Sequence, residues 1–265
     1  MASIAVAATA PFGADVLERL AEHHDVALVL TRPDKPRGRG RTLQPTPARA
    51  VAERLGIPVA QPTRLSEDTD IPVEVVIVAA YGLLIPDVLL DRALWLNVHP
   101  SLLPRWRGAA PVERALMAGD EETGVTIHRT TPELDAGPIA AQEAFEIGPD
   151  DDAGAVYERS AEVAARLLDD VLEGAVFVPQ PEEGATYAEK LTTEDRILDL
   201  SQPAAELVDR VRALSPHIGA RAVVDGRPLI VWKAREGADG SFELVEVQPE
   251  GGRRMSYDEY LRGRR

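Results

Sequence analysis

Residues 73–99 read VEVVIVAAYGLLIPDVLLDRALWLNVH. The stretch opens on a nearly unbroken apolar run at 73–81, rich in valine. Runs of this kind suit strands buried on both faces, as in parallel sheets. A second run, ALWLNVH at 93–99, reads as the next strand and ends on two polar residues, Asn97 and His99. Working outward, ASIAVAAT (2–9) and DVALVLT (25–31) read as further strands. FGADVLERLAEHH has a helical pattern, and so does TPARAVAERLG, which meets a plausible stop at Gly56. Downstream, GAAPVERALMAGD (108–120) has proline near its first turn and then turns helical. TGVTIHRT (123–130) reads as a strand, and residues 150–174 as a long helix opened by acids. Strands that alternate with helices indicate an α/β domain built on a mainly parallel sheet.

A chain of 265 residues suggests one large domain and a smaller one. The boundaries fall at 1–175 for the large domain, 176–203 for a linker containing VPQPEEG, and 204–265 for a small β-rich domain. In the last of these, Asp225-Gly226 between two apolar runs is a strong hairpin signal. The absence of cysteine excludes disulfides, thiolate metal sites and a cysteine nucleophile, and it fits a reducing compartment. Nothing reads as a membrane span. The N-terminal stretch lacks a basic start and soon meets Asp15 and Glu18, so it reads as a first strand and helix rather than a signal peptide. A cytoplasmic monomer with no membrane partner is expected.

The net charge is 29 − 44 = −15, which by itself argues against broad nucleic-acid binding. The distribution says more. RPDKPRGRGR (32–41) holds five basic residues and one acid, and five more arginines follow Gly251. An acidic body with two basic patches suits a polyanion contacted at defined places; a solvated loop and a frayed terminus suit the pattern as well.

Residues two apart on a strand share a face, so Asn97 and His99 project together near the carboxyl end of theirs. Open α/β sheets place their ligands at such ends. One amide donor beside one titratable imidazole suits stabilisation of a developing oxyanion, although a hydrogen-bonded strand-end pair would account for Asn-x-His alone. Asp135 lies in the turn PELDAGPIA. If that loop folds back over the sheet, the carboxylate can hold His99 and favour its protonated form, or accept a proton itself. AATAPFG lacks G-x-G-x-x-G, which weakens any nicotinamide reading. There is no G-x-x-x-x-G-K-[ST] and no H-E-x-x-H, and the histidines at 23, 24, 99, 128 and 217 show no ligand spacing, so no metal is expected.

NVHPSLLPRWRGAAPVERALMAGDEETGVTIHRTTPELDAGPI resembles the core signature of methionyl-tRNA formyltransferases. In that family Asn-x-His, the Ser-Leu-Leu-Pro loop, the Arg-Gly-Ala-Ala-Pro stretch and a Leu-Asp-x-Gly turn occur in this order. TRPDKPRGRGRTLQPTP, AYGLLIP, ATYAEKLTTEDRILDLS and LIVWKA extend the resemblance over nearly the whole chain. The resemblance implies a Rossmann-like sheet with helices on both faces, followed by a small OB-like C-terminal domain. It implies transfer of a formyl group from 10-formyltetrahydrofolate to the methionyl amine of initiator tRNA. By motif, Asn97, His99 and Asp135 take the catalytic positions, with Asp135 keeping His99 charged. Ser101, Leu102, Leu103 and Pro104 match the folate loop. Arg37, Arg39 and Arg41 fall in the basic loop, where Arg39 matches the arginine that reads the acceptor end.

Two departures stand out. Pro100 replaces a frequent glycine and removes a backbone N–H. After VWKARE the chain passes almost directly through GADG to FELVEVQPEGGRRM, so the C-terminal barrel is expected to be truncated. A shortened barrel keeps a rival acceptor in view, a small amine such as glycinamide ribonucleotide or a nucleotide-linked amino sugar. A noncatalytic RNA- or folate-binding protein is the rival from another class.

Overall fold

The structure is a computed structural model that describes residues 3–37 and 42–263. The chain forms two compact units. The first takes Met1–Arg107, Gly124–Ala144 and Glu158–Thr186; the second takes Gly108–Thr123, Phe145–Tyr157 and Tyr187–Arg265. This division differs from boundaries at 175 and 203. Residues 176–186 join the first unit because their backbone is paired there: the Ile139 N–H donates to the Val178 carbonyl at 2.8 Å, and the Val178 N–H donates back at 2.9 Å. Residues 108–123 and 145–157 join the second because Val112, Leu116, Ile147, Val156 and Ala213 share one apolar cluster.

The first unit is organised by a seven-stranded sheet. In spatial order its strands are Ile139–Glu146, Glu122–Arg129, Leu94–His99, Val75–Ala79, Ser3–Ala8, Asp25–Leu30 and Val59–Ala60. The five from Leu94–His99 to Val59–Ala60 pair in parallel. Ile4 to Ala8 and Val76 to Ala79 are all buried without alternation, which is what covered faces demand of a strand. The chain starts in the middle of the sheet, adds two strands on one side, and then returns to the other side of Ser3–Ala8. Such a reversal leaves a crevice at the carboxyl ends of the central strands, where open sheets bind ligands. Glu122–Arg129 breaks the parallel run. It pairs antiparallel with Leu94–His99 and sets Asn97 opposite His128 and His99 opposite Thr126.

Local chemistry fixes the flanking helices. Pro11–His23 begins with proline in its first turn and buries Val16, Leu17 and Leu20. Gly13 lets this helix approach the sheet: a Cβ there would overlap the Ala79 carbonyl oxygen and lie 2.8 Å from the Ala8 Cβ. Pro47–Leu55 is capped by Thr46, whose hydroxyl accepts from the Arg49 N–H at 3.2 Å, and it ends at Gly56 with φ of 71°.

The second unit carries four antiparallel strands in the order Ala220–Val224, Arg227–Glu236, Phe242–Pro249 and Met255–Ser256. Asp225 and Gly226, both at positive φ, turn the first hairpin. Among the described residues the first and last strands do not pair, so the sheet stays open. The edge at Ala220–Val224 is met by Leu198, whose N–H donates to the Arg221 carbonyl at 2.8 Å. The helix Ala204–Leu214 buries Leu207, Val211 and Leu214 in this unit's core. The strands that escape the sequence reading include Ile139–Glu146, the edge strand Val59–Ala60, and the antiparallel pair Lys35–Arg37 with Thr42–Gln44.

The contact at Gly13 has a measurable consequence. Gly13→Ala forces a Cβ into backbone, an overpacking that costs ~1–3 kcal/mol. Urea unfolding is expected to show a lowered midpoint at unchanged slope. An unchanged midpoint would contradict the close approach.

Candidate functional site

Asn97 and His99 occupy alternate positions at the end of Leu94–His99, where the sheet's carboxyl edge begins. Asp135 sits in the loop that follows Glu122–Arg129, at φ of 48°. Aspartate tolerates this left-handed conformation better than most residues. The turn can lie against the strand because residue 137 is glycine: a Cβ there would overlap the Arg129 carbonyl oxygen. Gln180 latches the same turn, donating to the Asp135 carbonyl at 2.9 Å and the Gly137 carbonyl at 2.7 Å. The Gln180 oxygen in turn accepts from the buried Arg107 guanidinium at 2.9 and 3.2 Å.

The three expected catalytic residues therefore meet. The Asn97 amide nitrogen donates to Asp135 Oδ1 at 3.1 Å. His99 Nδ1 lies 3.8 Å from Asp135 Oδ2. His99 Nε2 lies 2.8 Å from the Trp106 carbonyl. A carbonyl only accepts, so Nε2 bears the hydrogen. Trp106 holds that carbonyl in place at φ of 64°, an outlier for a bulky residue. The Trp106 N–H donates to the Thr186 hydroxyl, and the Arg107 N–H to the Thr186 carbonyl, each at 2.9 Å. Strain of this kind, of order 1–3 kcal/mol, persists only where the surroundings over-determine it.

The charge on His99 differs from the sequence expectation. Burial pushes its pKa below the ordinary 6.5, and nearby His128 adds to the fall. The Asp135 carboxylate and the bond to the Trp106 carbonyl oppose this without overcoming it. Near neutral pH the imidazole is therefore neutral, protonated on Nε2, with Nδ1 bare and turned toward Asp135. Asp135 does not keep His99 charged in the resting site, because a ring 4% exposed loses more hydration than one carboxylate at 3.8 Å returns.

The Ser-Leu-Leu-Pro loop adjoins this cluster. Ser101 and Leu103 are buried, and the Ser101 hydroxyl donates to the Arg105 carbonyl at 2.8 Å. Leu102 and Pro104 are half-buried. Thr126, opposite His99 in the sheet, binds the loop at both ends: its hydroxyl donates to the Ser101 carbonyl at 2.7 Å and accepts from the Leu103 N–H at 3.1 Å. The loop is thus pre-shaped, with Leu102 and Pro104 on its accessible side. Arg37 belongs to the short strand Lys35–Arg37, whereas Arg39 and Arg41 lie outside the described residues. Among the described residues no group of three or more histidine, aspartate or glutamate side chains is arranged to hold a metal, and no helix is long and apolar enough to cross a membrane.

Sequence reasoning did not single out His128, Thr126, Trp106 or Gln180. His128 is 1% exposed, and its Nε2 lies 3.1 Å from the Asn97 amide nitrogen. Its signal was the register of an antiparallel strand, and a linear pattern does not carry register.

Residues 2–172 match the formyl transferase family, and residues 190–241 match the formyl transferase C-terminal domain. The chain is 40% identical to the methionyl-tRNA formyltransferase of Cereibacter sphaeroides, covering 95% of this chain and 93% of that one. It is 42% identical to the methionyl-tRNA formyltransferase of a Methylobacterium species, covering 91% and 89%. Among solved structures, methionyl-tRNA formyltransferase from Clostridium thermocellum superposes with a TM-score of 0.67 at 14% identity, over 94% of this chain and 99% of that one. HypX from Aquifex aeolicus, solved with tetrahydrofolic acid, superposes at 0.67 and 17% identity, over 98% of this chain and 47% of that one. At these identities the superpositions speak to the fold.

The neutral His99 has a sign that unfolding can check. Its unfolded-state ring titrates near 6.5 and its folded-state ring lower, so the unfolded chain binds the proton first. Its contribution is intact above that pH and is lost as pH falls toward the folded-state value. His99→Asn is expected to flatten the stability-versus-pH slope on the acid side of 6.5 relative to the unaltered protein. A slope of the opposite sign, with His99 stabilising more as pH falls, would show a charged ring.

Proposed function

The chain belongs to the formyl transferase family, and from that premise we propose that it transfers a formyl group from 10-formyltetrahydrofolate to the methionyl amine of initiator tRNA. The observation that carries the reading is the joining of Asn97, His99 and Asp135 at one sheet edge, 2.8–3.8 Å from their partners, in a chain that matches methionyl-tRNA formyltransferases over nearly its full length. The substrate amine is itself the nucleophile, so the enzyme needs no nucleophile of its own. Its task is to hold developing charge and to move one proton.

As the amine attacks the formyl carbon, the carbonyl oxygen becomes negative. The Asn97 N–H now spent on Asp135 Oδ1 is the donor for that oxygen, an exchange of one anionic acceptor for another. His99 Nδ1, bare in the resting site, accepts the proton released by the amine, with Asp135 beside it as the neighbouring base. The new imidazolium is anchored through Nε2 on the Trp106 carbonyl and lies between the Asp135 carboxylate and the oxyanion. Both negative charges favour the protonated ring at the moment the proton is released. The same ring then returns the proton to the departing folate nitrogen.

Leu102 and Pro104 offer the folate an apolar edge, and Ser101 and Leu103 act through the shape they give the loop. Arg37, Arg39 and Arg41 contact the phosphates and end bases of the acceptor stem, a contact that salt weakens. The protein works in the cytoplasm as a monomer.

Two sets of variants test the reading. Asn97→Ala is expected to lower the rate of formylmethionyl-tRNA formation by ~10²–10³, as for loss of one oxyanion donor. Asp135→Asn is expected to abolish most turnover while the protein stays folded by circular dichroism. Near-normal turnover in either would remove that residue from the mechanism. Arg39→Ala is expected to weaken initiator tRNA binding and to reduce its salt dependence; unaltered binding would exclude the basic loop.

A further inference from the structure

We propose that His128 is a positioning residue that tethers one N–H of Asn97, so that the other can pass between Asp135 and the oxyanion without rotation of the amide. The inference rests on the formyl-transfer reading for its chemistry, and on geometry alone for the tether.

The hydrogen positions follow from the partners. His128 Nδ1 lies 3.1 Å from the Arg129 carbonyl, which only accepts, so Nδ1 carries the hydrogen. In the neutral ring Nε2 is then bare, and it accepts from the Asn97 amide nitrogen at 3.1 Å. That nitrogen has two hydrogens, and the second goes to Asp135 Oδ1. The opposite amide orientation would set the Asn97 oxygen against a carboxylate oxygen and a bare ring nitrogen. Two acceptors therefore lock the amide. Only His128 holds it by a bond that the reaction has no reason to break.

The arrangement has a second side. His99 is protonated on Nε2 and His128 on Nδ1, so the two buried rings carry opposite tautomers. Their bare nitrogens flank one carboxylate, His99 Nδ1 at 3.8 Å from Oδ2 and His128 Nε2 at 3.7 Å from Oδ1. His128 Nε2 is already met by the Asn97 N–H at 3.1 Å, whereas His99 Nδ1 faces the carboxylate at 3.8 Å. The tether to Asn97 thus occupies His128 Nε2 and leaves His99 Nδ1 as the proton's destination.

The test has two independent readouts. The first uses protein labelled with ¹⁵N in histidine and two-bond ¹H–¹⁵N correlations at neutral pH, with no substrate. His128 is expected to show a protonated Nδ1 and a bare Nε2, and His99 the reverse. A proton on His128 Nε2 would overturn the proposal whatever the enzyme's substrate. The second compares His128→Phe, which fills the space without an acceptor, with His128→Gln, whose side-chain oxygen reaches as far as Nε2. Loss of one such hydrogen bond is expected to lower kcat by about 3–10-fold or more in the Phe variant, with KM for both substrates within about twofold. The Gln variant is expected to recover most of the loss. Unchanged kcat in the Phe variant, or equal losses with raised KM in both, would overturn the positioning role. If the unaltered protein fails to formylate methionyl-tRNA, the functional reading falls while the tautomer result still decides the tether.

Discussion

A carboxylate that leaves water must be met by donors, and the site is built around that demand at Asp135. Its side chain is 11% exposed and accepts from the Asn97 amide. A buried charge left unpaired costs several kcal/mol, so the residues that bring Asn97 to Asp135 are under strong constraint. The antiparallel strand fixes where its loop begins. Gly137 lets the turn lie on the Arg129 backbone, and Gln180 fastens two of its carbonyls. Loosening any of these moves the carboxylate away from both Asn97 and His99.

The same constraint sets the protonation of the site. Asp135 lies near two imidazoles, and both rings point bare nitrogens at it because backbone carbonyls of Trp106 and Arg129 claim their other nitrogens. His128 Nε2 is already met by the Asn97 N–H, so His99 Nδ1 is the ring nitrogen left to take a proton. In the proposed reaction this nitrogen takes the proton from the amine and returns it to the leaving nitrogen. The left-handed backbone at Trp106 is what aims its carbonyl at His99, so strain in one residue is exchanged for a defined tautomer in another.

Much of this could be read from the sequence. The valine-rich run at 73–81 and the segment ending on Asn-x-His both read as neighbouring strands of a parallel sheet, and the structure has them as Val75–Ala79 and Leu94–His99. The hairpin at Asp225-Gly226 and the stop at Gly56 follow from backbone geometry that few residues supply. What could not be read depends on pairing across the sheet or on burial. His128 and Thr126 look like ordinary strand residues until the antiparallel register sets them opposite Asn97 and His99. Gln180 lies in a Pro-rich stretch with the composition of a linker, and only its bonds to the Asp135 turn reveal its part. The expected charge on His99 failed for a related reason: a carboxylate nearby in sequence pattern says nothing of how much water the ring has lost.

The most direct measurement is single-turnover transfer from ¹⁴C-labelled 10-formyltetrahydrofolate with methionyl initiator tRNA, methionyl elongator tRNA and glycinamide ribonucleotide present together. The label is expected on the methionine of the initiator tRNA, with neither competitor labelled at a comparable rate. Label on glycinamide ribonucleotide, with the tRNAs bare, would contradict the assignment of the acceptor and direct the site to small amines.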